Sequence, residues 1–158
     1  MRGRRLLLSG VALPLVFLLA AGCGGSSRLS PNQYRVRLGM VARQADQAQS
    51  QVEEASSAKT VIEIQTRLRR FATAEQQLGD EVATLKPPTN AERANGELAR
   101  GEHDTASEVR ALLPQVGRLK SVKATMALLD RALGNANGAR EIDHALAELK
   151  QAGYTKGS

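Results

Sequence analysis

From residue 34 to residue 149, apolar residues recur at intervals of three and four, the period of one helical face. Tyr34, Leu38, Val41, Ala45, Ala48, Val52 and Ala55 are separated by alternating steps of four and three, an unbroken heptad seam. The spacing predicts a helix over 31–56, opened by Ser30 as N-cap and Pro31 at the first helical position. Ser56-Ser57-Ala58-Lys59 reads as a turn, and Thr60 with Glu63 reads as a capping box. A second helix over 61–85 then carries Val61, Ile64, Leu68, Phe71, Glu75, Leu78, Val82 and Leu85. Glu75 breaks this seam. Either it lies at the seam edge and snorkels to water, or Ala74 takes its place, or it is a polar residue that fixes register or binds something.

Lys86-Pro87-Pro88 stops the second helix, because proline cannot donate an amide and disfavours helix before it. Thr89 and Glu92 suggest a further capping box. The third stripe is Ala91, Ala94, Leu98, Gly101, Thr105, Val109, Leu112, Val116 and Leu119, thin at Gly101 and Thr105. Pro114 should kink this helix or end it near Leu113. A fourth helix starts near Ser121 and carries Val122, Met126, Leu129, Leu133 and Ala136 until Gly134-Asn135-Ala136-Asn137-Gly138 interrupts it. A last piece, 139–151, carries Ile142, Leu146 and Leu149, with Gly153 as its cap.

Four spans of about 25–30 residues would each be about 37–45 Å long, and their short connections favour antiparallel neighbours. The pattern therefore predicts an all-α fold: an antiparallel up-down four-helix bundle over 31–153, its fourth helix broken near 134–138, followed by a frayed tail at 154–158. The alternative is a pair of long helical hairpins that pack loosely or pair with another chain.

The amino terminus follows a different pattern. Arg2, Arg4 and Arg5 precede an apolar run from Leu6 to Ala21, which Gly10 and Pro14 interrupt. That run is shorter than the ~20 residues of a spanning helix, and with the small residues after it, it reads as a secretory signal peptide, residues 1–22. Leu19-Ala20-Ala21-Gly22-Cys23 resembles the lipobox of bacterial lipoproteins. The resemblance implies cleavage between Gly22 and Cys23, a diacylglyceryl group on the Cys23 thiol, and residence at the extracytoplasmic face of the cell membrane. Cys23 is the sole cysteine, so no intramolecular disulfide can form, and acylation would remove an otherwise exposed thiol. Gly24 to Leu29 then serves as a flexible tether between lipid and domain, within residues 23–30.

Removing residues 1–22 leaves 136 of the 158 residues and discards three arginines and no acid, so the formal charge falls from +6 to +3. That balance gives no argument for nucleic acid, though a mild attraction to anionic headgroups or cell-wall polymer is compatible with it. Tyr34, Phe71 and Tyr154 are the only aromatics left.

Candidate chemistry is sparse. His103 and His144 are the only imidazoles, flanked by Glu102, Asp104 and Asp143. Each lies two positions from a seam residue, which predicts outward-facing side chains. Neither has a second histidine three or four residues away, so no metal and no cofactor is expected. No G-x-S-x-G motif or Gly-rich phosphate loop is present, and no activated nucleophile stands out, so no catalytic residues and no enzyme are expected. Leu85-Lys86-Pro87-Pro88 between amphipathic helices with Ala/Arg/Glu/Gln-rich flanks is similar to the small helical lipoproteins of high-GC Gram-positive bacteria. That resemblance implies a place and a fold rather than a reaction. The function expected is a non-catalytic tethered module that docks an envelope protein or the cell wall; the alternative is a carrier of a small apolar or metal ligand in the bundle core. A carrier needs a cavity of hundreds of Å³, and a docking module needs a contiguous exposed apolar patch.

Overall fold

The computed structural model describes residues 27–155. The expected signal peptide, the expected cleavage junction at Gly22–Cys23 and residues 156–158 lie outside the described residues. The protein is all-α, with 81% of the described residues helical and no strand among them. The helices are α1 (Pro31–Ser56), α2 (Val61–Thr84), α3 (Glu92–Val116), α4 (Val122–Leu133) and α5 (Asn137–Gln151), with a single 3-10 turn at Thr89–Ala91.

Local chemistry accounts for most of the boundaries. The Ser30 hydroxyl accepts from the Gln33 amide, and the Gln33 side chain accepts from the Ser30 amide, a reciprocal cap stronger than the N-cap expected. Thr60 caps Glu63 as expected. The Glu63 carboxylate reaches one residue further than a capping box requires, to the Lys59 amide at 2.8 Å. The box expected at Thr89 and Glu92 does not form. The Pro88 carbonyl takes the Ala91 amide and winds 89–91 into the 3-10 turn, so α3 starts without a side-chain cap. Pro114 neither ends α3 at Leu113 nor stops the following turn, because it sits in the last turn, where few bonds remain to break. Gly153 has φ +79°, a left-handed geometry that suits glycine. The Gly153 amide bonds to the Lys150 carbonyl and the Tyr154 amide to the Leu149 carbonyl, completing a Schellman cap.

Successive long helices run antiparallel. The start of α1 lies beside the end of α2, where the Leu29 amide donates to the Lys86 carbonyl at 2.7 Å. Arg28 bonds to the Pro87 carbonyl and to Glu92. The last residues of the expected tether are therefore docked on the α2–α3 connection. On α2 and α3, Asn95 meets Val82 near one end and Gln65 meets Leu113 near the other. On α3 and α5, Arg93 meets Glu148 while Glu108 accepts from the Asn137 amide at 2.9 Å. That last bond gives α5 an N-terminal acceptor borrowed from another helix, in place of the side-chain cap that Ala136 lacks.

Helix α3 is the centre of the packing and touches both α2 and α5. Its face at Gly101 and Thr105, which looks thin in sequence, is where α5 comes closest. A Cβ added at Gly138 would lie 2.4 Å from Thr105 Oγ1, 2.5 Å from the Thr105 nitrogen and 2.6 Å from the Gly101 carbonyl oxygen. Two of those neighbours are backbone atoms that cannot swing aside. Gly138→Ala should therefore destabilise the protein by about 1–3 kcal/mol in urea denaturation, despite the better helix propensity of alanine. Gly96→Ala, whose Cβ would meet only the end of Arg100 at 3.8 Å, should instead stabilise by up to about 1 kcal/mol. Equal effects at the two sites would mean that α3 and α5 do not meet this closely.

Polar contacts lock the same framework. Buried Asn95 accepts from the Tyr34 hydroxyl at 2.9 Å and donates to the Val82 carbonyl at 3.0 Å, joining α1, α2 and α3 through one side chain. Burial pushes the Tyr34 phenol above its ordinary range, so it stays a donor. Tyr154, expected in a frayed tail, is buried edge-to-face against Tyr34 with ring centroids 5.1 Å apart, and its hydroxyl bonds to Asn90. Leu146 is a further departure. It is exposed, and the fully buried Ala145 takes the inward position.

Candidate functional site

The seam of α1 is buried at Tyr34, Leu38, Val41, Ala48 and Ala55, but Ala45 and Val52 stay half-buried. Both line a cleft of about 420 Å³, whose other walls are Phe71 and Glu75 of α2, Glu102 and Thr105 of α3, and Ile142 and Asp143 of α5. Leu133, Ala136 and Ala139 complete it at the α4–α5 break. The opening follows from residue size, because alanines at 45, 136 and 139 leave space that larger side chains would fill. Val52 and Leu133 also line a second cleft of about 440 Å³ with Leu68, Met126 and Leu129, so the two adjoin along α1.

At the inner wall lie two carboxyl groups. Glu75 is 6% exposed and Glu102 is 4% exposed. Glu75 therefore does not reach water from the seam edge; it is a polar residue within the core. Ala74 is only half-buried and does not take its place. The two carboxyl groups hydrogen-bond to each other, which requires a proton between them. Burial pushes Glu75 up to about 9, reinforced by the bond to Glu102 and its negative charge. Burial also raises Glu102, against the opposing pull of the bond from Glu75 and of His103. The two carboxyl groups thus hold a proton as a pair. Among the described residues, the cleft's other ionisable walls are Asp46 and Asp143, and no lysine, arginine or histidine lines it. Thr105 adds a buried hydroxyl with no hydrogen-bond partner among the described residues.

The sequence does not mark Glu102 as a core residue, because it stands in a charged run with His103 and Asp104. The available signal is its place beside Gly101 on the stripe that Leu98, Thr105 and Val109 define. His103 is not fully outward. Its side chain is partly covered, and its Nε2 lies 3.0 Å from Asp80 of α2. His144 faces outward as expected, but it has company: Glu97 of α3 lies 3.0 Å from its Nδ1 and Glu148 lies 3.8 Å from its Nε2. Cys23 lies outside the described residues.

A protonated acid pair at the wall of a cleft whose described lining carries no basic side chain is suited to receiving a hydrogen-bond donor or a positive charge, while the adjoining apolar walls suit a hydrocarbon body. No helix among the described residues is long and apolar enough to cross a membrane. No protein-family model, curated protein or solved structure matches this chain.

Proposed function

We propose that this protein is a lipid-anchored, non-catalytic lipoprotein of the extracytoplasmic membrane face, whose helices form an up-down four-helix bundle that carries a small amphiphile with a cationic head. The observation that carries this reading is the buried Glu75–Glu102 pair at the wall of a cleft that holds no basic residue among the described ones. The cleft volume is in the range of small-molecule sites. The exposed large apolar side chains, Val36, Met40, Ile62 and Leu146, are spread over α1, α2 and α5, which favours a carrier over a docking module. In this reading α1, α2, α3 and the α4–α5 segment are the four legs of the bundle. The lipid on Cys23 holds the α2–α3 end near the headgroups, since Arg28 and Leu29 dock there and only Gly24 to Ser27 intervene.

Titration of the intact protein with decylamine, beside decanoate as the opposite charge, tests the carrier. Decylamine should bind saturably and decanoate should not, and Glu75→Leu with Glu102→Leu should abolish the binding. Preferential decanoate binding, or decylamine binding that survives in the double variant, removes the reading. The anchor has a separate test. Cys23→Ala should abolish incorporation of labelled palmitate, and label persisting in that variant would exclude Cys23 as the lipidated residue.

A further inference from the structure

His144 and Glu148 stand one helical turn apart on α5. Glu97 faces them from α3, and one ligand atom from each of the three residues lies within 4.8 Å of the others. The two carboxylates are largely covered, each side chain 19% exposed, whereas the imidazole is 61% exposed. This arrangement is independent of the acid pair in the cleft. We propose that Glu97, His144 and Glu148 form a binding site for a borderline divalent cation of the zinc class.

The donor set selects the class. One imidazole nitrogen with two carboxylate oxygens suits zinc, whereas calcium and magnesium favour oxygen-only ligand sets. Three protein ligands leave a fourth position for water, on the open side where the imidazole meets solvent. Glu97 faces Nδ1 and Glu148 faces Nε2, and one zinc uses only one ring nitrogen, so the carboxylate on the other side must swing toward it to reach bonds of about 2.0–2.2 Å. The long side chains of Glu97 and Glu148, both beside the exposed imidazole, allow that rotation. The imidazole sits between the two carboxylates, and Arg93 occupies Glu148 as an ion pair. Arg93 is 73% exposed along its side chain, so it can be displaced, and it competes with any cation for Glu148. The sequence pattern hides the site because its second α5 ligand is a glutamate four residues on rather than a histidine.

Calorimetric titration of the intact protein with zinc chloride at pH 7.5 provides the test, with circular dichroism to verify the fold of each variant. The wild type should bind one zinc saturably. His144→Gln and Glu97→Gln should each weaken binding at least tenfold, while His103→Gln should leave it unchanged. Arg93→Ala should bind severalfold more tightly, because the competitor for Glu148 is gone. Absence of saturable zinc binding, undiminished binding in His144→Gln, loss in His103→Gln, or unchanged or weaker binding in Arg93→Ala overturns the assignment.

Discussion

Glu75→Gln is expected to be more stable than the wild type at pH 8, by at least about 1.4 kcal/mol, and to lose most of that advantage at pH 5. In the folded protein burial holds Glu75 at about 9 against an ordinary value of 4.5. Between those values the folded state binds more protons than the unfolded chain. Wild-type stability should therefore fall as pH rises through that window, by up to about 1.4 kcal/mol per pH unit for one extra proton. Below about pH 4.5 both states are protonated and the cost vanishes, whereas above about 9 it is complete. Glutamine keeps a donor for Glu102 and does not titrate, so the slope should flatten. Urea denaturation of both proteins from pH 5 to pH 9 reads it directly. A stability difference independent of pH would show that Glu75 and Glu102 do not share a proton. The same proton bears on the proposed ligand: a cationic head would take its place, so decylamine binding should release protons into the buffer.

The helices are legible in the sequence because their signals are local. Ser30-Pro31, Thr60 with Glu63, Pro87-Pro88, Ser121 and Gly153 act through neighbours a few residues away, and α1 and α2 end within a residue of their expected limits. The site is less legible because its parts meet only in three dimensions. Glu75 stands out as a charge in an apolar seam, but nothing near it in sequence shows that Glu102 would supply the partner for its proton. Asn95 and Thr125 are buried polar residues satisfied by hydrogen bonds: Asn95 to two other helices, Thr125 to its own preceding turn through the Ser121 carbonyl. A count of apolar positions passes over both. Gly101 illustrates the opposite error. A small residue in a stripe reads as missing contact, yet here it permits the close backbone approach of α5. The stripe that looks thin in sequence therefore holds the centre of the packing, since α3 buries ten residues where α1 buries five.

Leu68→Ala should cost about 2–5 kcal/mol, whereas Leu146→Ala should change stability by no more than about 0.5 kcal/mol. Both leucines belong to apolar stripes of the sequence, but Leu68 is 1% exposed and Leu146 is 40% exposed. Truncating Leu68 removes apolar area from the core and widens the cleft it shares with Met126 and Leu129. Because that cleft opens to solvent, water can enter the new space, which should hold the cost toward the lower part of the range. Chemical denaturation of the two variants measures both effects. A cost at Leu146 equal to that at Leu68 would mean that α5 is rotated from the orientation that puts Ala145 inward, and the wall that Ile142 and Asp143 give the cleft would move with it.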